Sequence, residues 1–108
     1  MGLLLLLLSS GTLQAQSGQP GETWTAQSSG SRLWRSIASS SDGSKLAAVD
    51  GTSPFGGQIY TSTDSGVTWT ARDSGSRLWF SITSSADGSK LAAGVQGGQI
   101  YTSTDSGV

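Results

Sequence analysis

Ser62-Thr63-Asp64-Ser65-Gly66-Val67-Thr68-Trp69 decides the reading of this 108-residue chain, because Ser103-Thr104-Asp105-Ser106-Gly107-Val108 begins the same phrase again. Each residue type has a task in a tight connection between strands. Asp64 is expected to accept backbone N–H groups of its own turn, and Gly66 to take a conformation that costs other residues. Thr68 restarts an extended strand, and Trp69 is expected to bury its ring beside the turn and pin it.

Working outward, the neighbours of this stretch recur as well. Trp24-Thr25-Ala26 returns as Trp69-Thr70-Ala71, Ser29-Gly30-Ser31-Arg32-Leu33-Trp34 as Ser74-Gly75-Ser76-Arg77-Leu78-Trp79, and Asp42-Gly43-Ser44-Lys45-Leu46-Ala47-Ala48 as Asp87-Gly88-Ser89-Lys90-Leu91-Ala92-Ala93. The step is 45 residues from 24 to 69, from 34 to 79 and from 46 to 91, and it falls to 41 from Tyr60 to Tyr101. The first unit therefore carries four extra residues between Val49 and Gln58, beside Pro54 and Gly56-Gly57, where a surface loop tolerates them. The same step taken backwards sets Ser17, Gln19, Gly21, Thr23 and Trp24 under Ser62, Asp64, Gly66, Thr68 and Trp69, a worn copy without its acid. Self-similarity at this period indicates stacked β-units rather than one self-contained domain.

Within a unit, Leu33 to Ser40 reads as a first strand and Ser41-Asp42-Gly43-Ser44 as a hairpin turn. Asp-Gly there is expected to supply the positive φ values of a primed turn. Lys45 to Val49, Gln58 to Thr63 and Trp69 to Arg72 read as the second, third and fourth strands. Four antiparallel strands per unit make one propeller blade. The expected fold class is all-β, with four-stranded antiparallel β-propeller blades, about two of them, forming an incomplete propeller. The expected divisions are a signal peptide over 1–15, an entering strand with the degenerate copy over 16–32, a first blade over 33–77, and a second over 78–108 that lacks its fourth strand.

The pattern S-x-D-x-G-x-T-W resembles the Asp-box of the bacterial neuraminidase repeat family, found in sialidase-like propellers and their many non-enzymatic relatives. The resemblance covers nearly everything after the leader. It implies that Ser62, Asp64, Gly66, Thr68, Trp69, Ser103, Asp105 and Gly107 are structural, because in that family the box lies away from the catalytic face. Single acids of this kind also offer too few oxygens for calcium.

Composition narrows the chemistry. The net charge is −1 and 12% of residues are charged, about half of the roughly 25% usual in soluble domains, so bulk charge steers no nucleic acid to this chain. With neither His nor Cys, the chain supplies no Ser-His-Asp triad, no thiol nucleophile, no typical zinc site and no disulfide. No cofactor and no metal is expected, and the absence of Asn removes any N-glycosylation acceptor. Leu3 to Leu8 followed by Ser9-Ser10-Gly11 and Leu13-Gln14-Ala15 has the order of a secretory leader cleaved after Ala15, which predicts a secreted or periplasmic product. The run is shorter than the about 20 apolar residues a membrane span needs, so no stable span remains once the leader is cleaved.

A blade is apolar on both faces and needs neighbours, and propellers close with about 4 to 8 blades. Two readings follow: the missing blades belong to a longer chain, or several copies form a homo-oligomeric ring in which the strand around Trp24 completes the last blade of the adjacent chain. Trp34 and Trp79 are expected between neighbouring blades, with stacking on a sugar as the other use of an aromatic face. Arg32 and Arg77 sit in the connections between blades, on the face shared with the link that holds Asp50, Pro54 and Phe55. Arg32, Arg77, Asp50 and Phe55 therefore form the candidate ligand face, for a carbohydrate or a protein. The expected function is a non-catalytic binding or scaffolding module, and the alternative is a fragment of a sialidase-like or xyloglucanase-like glycoside hydrolase. Such enzymes assemble paired acids, or an arginine cluster with a Tyr nucleophile, from several blades. Here Glu22 is the only Glu, and Tyr60 and Tyr101 recur with the unit, as residues that serve the unit do.

Overall fold

The computed structural model describes residues 23–108, so the signal-peptide segment 1–15 and positions 17, 19 and 21 of the degenerate copy lie outside the described residues. The described chain is all-β. Strands β1 (Trp34–Ser39), β2 (Leu46–Asp50), β3 (Ile59–Ser62) and β4 (Thr70–Ala71) form one four-stranded sheet in that order, and β5 (Trp79–Ser84), β6 (Leu91–Val95) and β7 (Ile100–Ser103) form a three-stranded sheet. Every strand pairs antiparallel with its sequence neighbour, so each sheet is a simple meander.

The two sheets share their register to the residue. Ile37 faces Ala48 and Ala48 faces Tyr60, just as Ile82 faces Ala93 and Ala93 faces Tyr101. Both first strands also carry an irregularity at the same place, between Trp34 and Ser36 and between Trp79 and Ser81.

Alternation along the strands gives each sheet two unlike faces. In the first sheet Trp34, Ile37, Leu46, Ala48 and Tyr60 share one face, while Ser36, Ala38, Ala47, Val49, Ile59 and Thr61 share the other. The second sheet applies its Trp79, Ile82, Leu91 and Ala93 to the latter face, and these four with Ala47 and Val49 form the buried core. Ala38, Ile59 and Val95 pack at its margin. Small residues in β2 allow the close approach: Ala47 and Val49 are buried against the second sheet, while Ala48, on the other face, is buried within its own sheet. Polar ties flank the core, with Ser41 N donating to Ala86 O at 2.6 Å and Arg77 and Gly57 exchanging backbone bonds of 2.9 and 3.0 Å.

One local expectation is corrected. Gly43 and Gly88 have φ of 76° and 77°, whereas Asp42 and Asp87 do not have positive φ, so these are not primed turns. Ser40 O instead accepts Gly43 N at 3.1 Å, and Ser40 N donates to Lys45 O at 2.8 Å. This is a four-residue connection built on an unprimed turn that ends in a left-handed glycine. The Asp carboxylate explains the preference, because it binds the N–H two residues on and so closes an Asx turn.

Candidate functional site

The meander sends its loops to opposite ends of each sheet. Connections β1–β2, β3–β4 and β5–β6, together with the segment after β7, gather Asp42, Asp64, Asp87 and Asp105 at one end. The segment before β1, the β2–β3 link and the crossing from β4 to β5 bring Arg32, Phe55 and Arg77 to the other, with Asp50 and Asp73.

At the acid end each carboxylate closes its own turn. Asp64 Oδ1 accepts Ser62 Oγ at 2.8 Å and Thr68 N at 2.9 Å, and Asp64 Oδ2 accepts Thr68 Oγ1 at 2.6 Å. Ser62 Oγ in turn accepts Gly66 N at 2.8 Å, and Trp69 Nε1 donates to Gly66 O at 2.8 Å. Thr68, first by its hydroxyl and then by its backbone N–H, with the Ser62 hydroxyl behind it, lowers Asp64 from 3.8 to about 2. Gly66 has φ of 93°, and the residue before it, Ser65, is also left-handed at 62°, a conformation that L-residues seldom adopt. Trp69 is half-buried rather than fully enclosed, with its ring 6.4 Å from that of Trp34.

The second copy builds as much of this as its residues allow. Ser103 Oγ donates to Asp105 Oδ1 at 2.7 Å and accepts Gly107 N at 2.8 Å, and Ser106 and Gly107 have φ of 62° and 84°. Ser65 N and Ser106 N bond Ser44 O and Ser89 O, so each of these turns is strapped to the neighbouring hairpin turn of its own sheet.

Those hairpin turns hold a second acid motif that sequence reasoning passed over. Asp42 accepts Ser40 Oγ, Ser44 N and Ser44 Oγ at 2.8, 3.0 and 2.8 Å, and Asp87 accepts the same three groups from Ser85 and Ser89 at 2.8, 2.9 and 2.7 Å. The Ser44 N–H and hydroxyl, then the Ser40 hydroxyl, lower Asp42 to about 2, and the corresponding donors from Ser89 and Ser85 hold Asp87 lower still. The signal was present in the spacing S-x-D-G-S, at Ser40 to Ser44 and Ser85 to Ser89.

At the opposite end the four candidate ligand residues are placed unequally. Arg77 bridges to Gly57, and its guanidinium lies 4.5 Å from the centre of the Tyr101 ring. Arg32 stacks on Tyr60 at the same distance and is exposed. Asp50 is buried, accepts Thr52 N at 3.0 Å and the Thr52 hydroxyl, and packs against Gly57, where a Cβ would meet its carboxylate. Phe55 is 85% exposed. The Tyr supports beneath the arginines were not foreseen, since Tyr60 and Tyr101 stood out only as recurring residues.

Among the described residues no group of three or more His, Cys, Asp or Glu side chains lies together in a way that would hold a metal ion. No helix among them is long and apolar enough to cross a membrane. No protein-family model, curated protein or solved structure matches the chain.

Proposed function

We propose that the chain is a non-catalytic, exported module of Asp-box type, two stacked blades of a β-propeller with a binding or scaffolding role. One observation carries the reading: Asp42, Asp64 and Asp87 each accept three hydrogen bonds from their own turns and are held ionised, so these acids serve the turns. A general acid at neutral pH needs the opposite, a carboxyl raised by burial or a like charge. The shared register of two meanders stacked face to face supports the blade reading.

The ligand end then rests on Arg32 and Phe55, which are exposed, with Arg77 half-buried behind them and Asp50 turned inward. An exposed guanidinium stacked on Tyr60, with an exposed aromatic ring at the same end of the sheet, suits a carbohydrate carrying a carboxylate, or an acidic protein loop. The test is a titration of acidic and neutral oligosaccharides followed by NMR, alongside an assay for release of reducing sugar. Binding without turnover that weakens in Arg32→Ala and Phe55→Ala supports the proposal, and turnover abolished by loss of an acid would replace it with the glycoside hydrolase reading.

A further inference from the structure

Among the described residues, the two sheets leave largely uncovered the counterparts of the surfaces that they bury against each other. Inside the molecule, the Trp79, Ile82, Leu91 and Ala93 face covers the rows Ser36-Val49-Ile59 and Ala38-Ala47-Thr61. The first sheet carries the same four-residue face, as Trp34, Ile37, Leu46 and Ala48, with Ile37 61% exposed where Ile82 is 6% exposed, Trp34 and Leu46 half-buried, and Ala48 buried within its own sheet. The second sheet carries the matching rows, as Ser81-Gly94-Ile100 and Thr83-Ala92-Thr102, with Ile100 76% exposed. These two open faces point away from each other on opposite sides of the stack, so they cannot meet within one molecule.

A cavity of about 500 Å³ lies between the sheets, at the unpaired edge of β7. Trp79, Leu91, Tyr101 and Gly107 form one wall, and Ile59 and Arg72 the other. The first wall repeats Trp34, Leu46, Tyr60 and Gly66, the surface on which Trp69 rests in the first sheet. A Cβ on Gly66 would lie 3.7 Å from the Trp69 ring, whereas one on Gly107 would have Leu91, Thr61 and Arg72 as its nearest neighbours. The cavity is thus the seat of a Trp that leads into a fourth strand.

Trp24 is such a residue and is 91% exposed. It is followed by Thr25-Ala26, identical to the Thr70-Ala71 of β4, and then by Ser29 to Trp34, identical to the Ser74 to Trp79 that lead into β5.

We infer that Trp24 to Trp34 of a second copy of this chain, followed by that copy's first sheet, docks on the second sheet. The contacts are those already made within the chain, moved one unit along. Thr25 and Ala26 of the second copy pair with Thr102 and Tyr101, as Thr70 and Ala71 pair with Thr61 and Tyr60. Its Trp24 fills the cavity, and its Thr23 reaches Asp105 as Thr68 reaches Asp64. Its Ser29 hydroxyl accepts Ile100 N, as that of Ser74 accepts Ile59 N, and its Arg32 bridges Gly98 as Arg77 bridges Gly57. Because the donor and acceptor surfaces differ, the contact is heterologous, and repetition closes a ring or extends a filament.

The experiment is light scattering on the full chain and three variants, with circular dichroism on each. Trp24→Ala removes an exposed side chain, and Gly94→Glu places a charge where a Cβ meets nothing within 4 Å, so both leave the monomer fold intact. The wild type is expected to associate, and each of these variants alone to be monomeric. An equimolar mixture should form a dimer and nothing larger, since one variant keeps a sound acceptor and the other a sound donor. Gly94→Val, which copies the fully buried Val49, should tighten association about tenfold. A monomeric wild type overturns the inference, whether its seat is empty or filled by a further segment of a longer chain. So does association that survives Trp24→Ala or Gly94→Glu unchanged. Arg32 enters both readings, because docking would half-bury it as Arg77 is, so the oligosaccharide titration is run on the monomeric Gly94→Glu variant, where its failure and the failure of association are told apart.

Discussion

Trp34 and Trp79 occupy the same place in two sheets of nearly the same sequence, yet Trp34 is half-buried on an open face and Trp79 is 1% exposed between sheets. Their immediate surroundings match. Each indole N–H donates to a glycine carbonyl four residues back, at 3.2 and 3.3 Å, and each ring meets a Tyr edge-on at 5.4 and 5.5 Å. What separates them is the neighbour on the far side. Burial here is set by position in the stack and not by the unit's own residues, so a contact within one sheet and a contact between sheets can be weighed separately.

The largest expected effect breaks that comparison directly. In the monomeric Gly94→Glu background, Trp79→Ala should lower the unfolding free energy by about 3–5 kcal/mol, and Trp34→Ala by roughly 1–2 kcal/mol, because the lost hydrogen bond is common to both and only the first opens a cavity in the core. Urea unfolding of the two variants in that background measures the difference, and equal losses would mean that the open face is covered within one molecule.

The acids supply a second, smaller contrast. Asp64→Ala strands the Thr68 N–H and hydroxyl as well as the Ser62 hydroxyl, whereas Asp105→Ala frees the Ser103 hydroxyl. Thermal unfolding should therefore fall further for Asp64→Ala, and a reversed order would contradict the hydrogen bonding described for the two turns.

The smallest effect is in pH. Asp42 and Asp64 titrate near 2 in the folded chain against 3.8 ordinarily, so the stability they contribute is complete above about pH 4. It declines as pH falls through about 2, where the folded carboxylates finally take up protons. The urea midpoint should drop across that window, and the double variant Asp42→Asn, Asp64→Asn should flatten the drop.

Much of the fold was legible because its signals are local. The first strand was expected over Leu33 to Ser40 and spans Trp34–Ser39; the third was expected over Gln58 to Thr63 and spans Ile59–Ser62. Turn residues fix such boundaries, since Asp and Gly act within a few positions of themselves. The φ of Asp42 was misread because Asp-Gly fits both a primed turn and an unprimed turn ending in a left-handed glycine, and the choice belongs to the Ser40 and Ser44 hydroxyls. Burial was less legible. Ile37 and Ile82 are the same residue in the same phrase, and only the packing of one sheet on the next distinguishes them. The candidate ligand residues fared unevenly for a different reason: Asp50 is taken by the N–H and hydroxyl of Thr52 two residues on, as Asp42 is by Ser44, and the Asp-Gly-Thr phrase at 50–52 reads in the sequence only as part of a loop.

The meander has one more consequence. Because each strand bonds only to its predecessor and successor, and each sheet meets its neighbour through one face, the chain behaves as a one-dimensional lattice. Its free energy is a sum of unit and junction terms. Inserting or deleting a whole unit would leave every remaining hydrogen bond with a partner of the same kind, so length can change by duplication without any need for the chain to find a new topology.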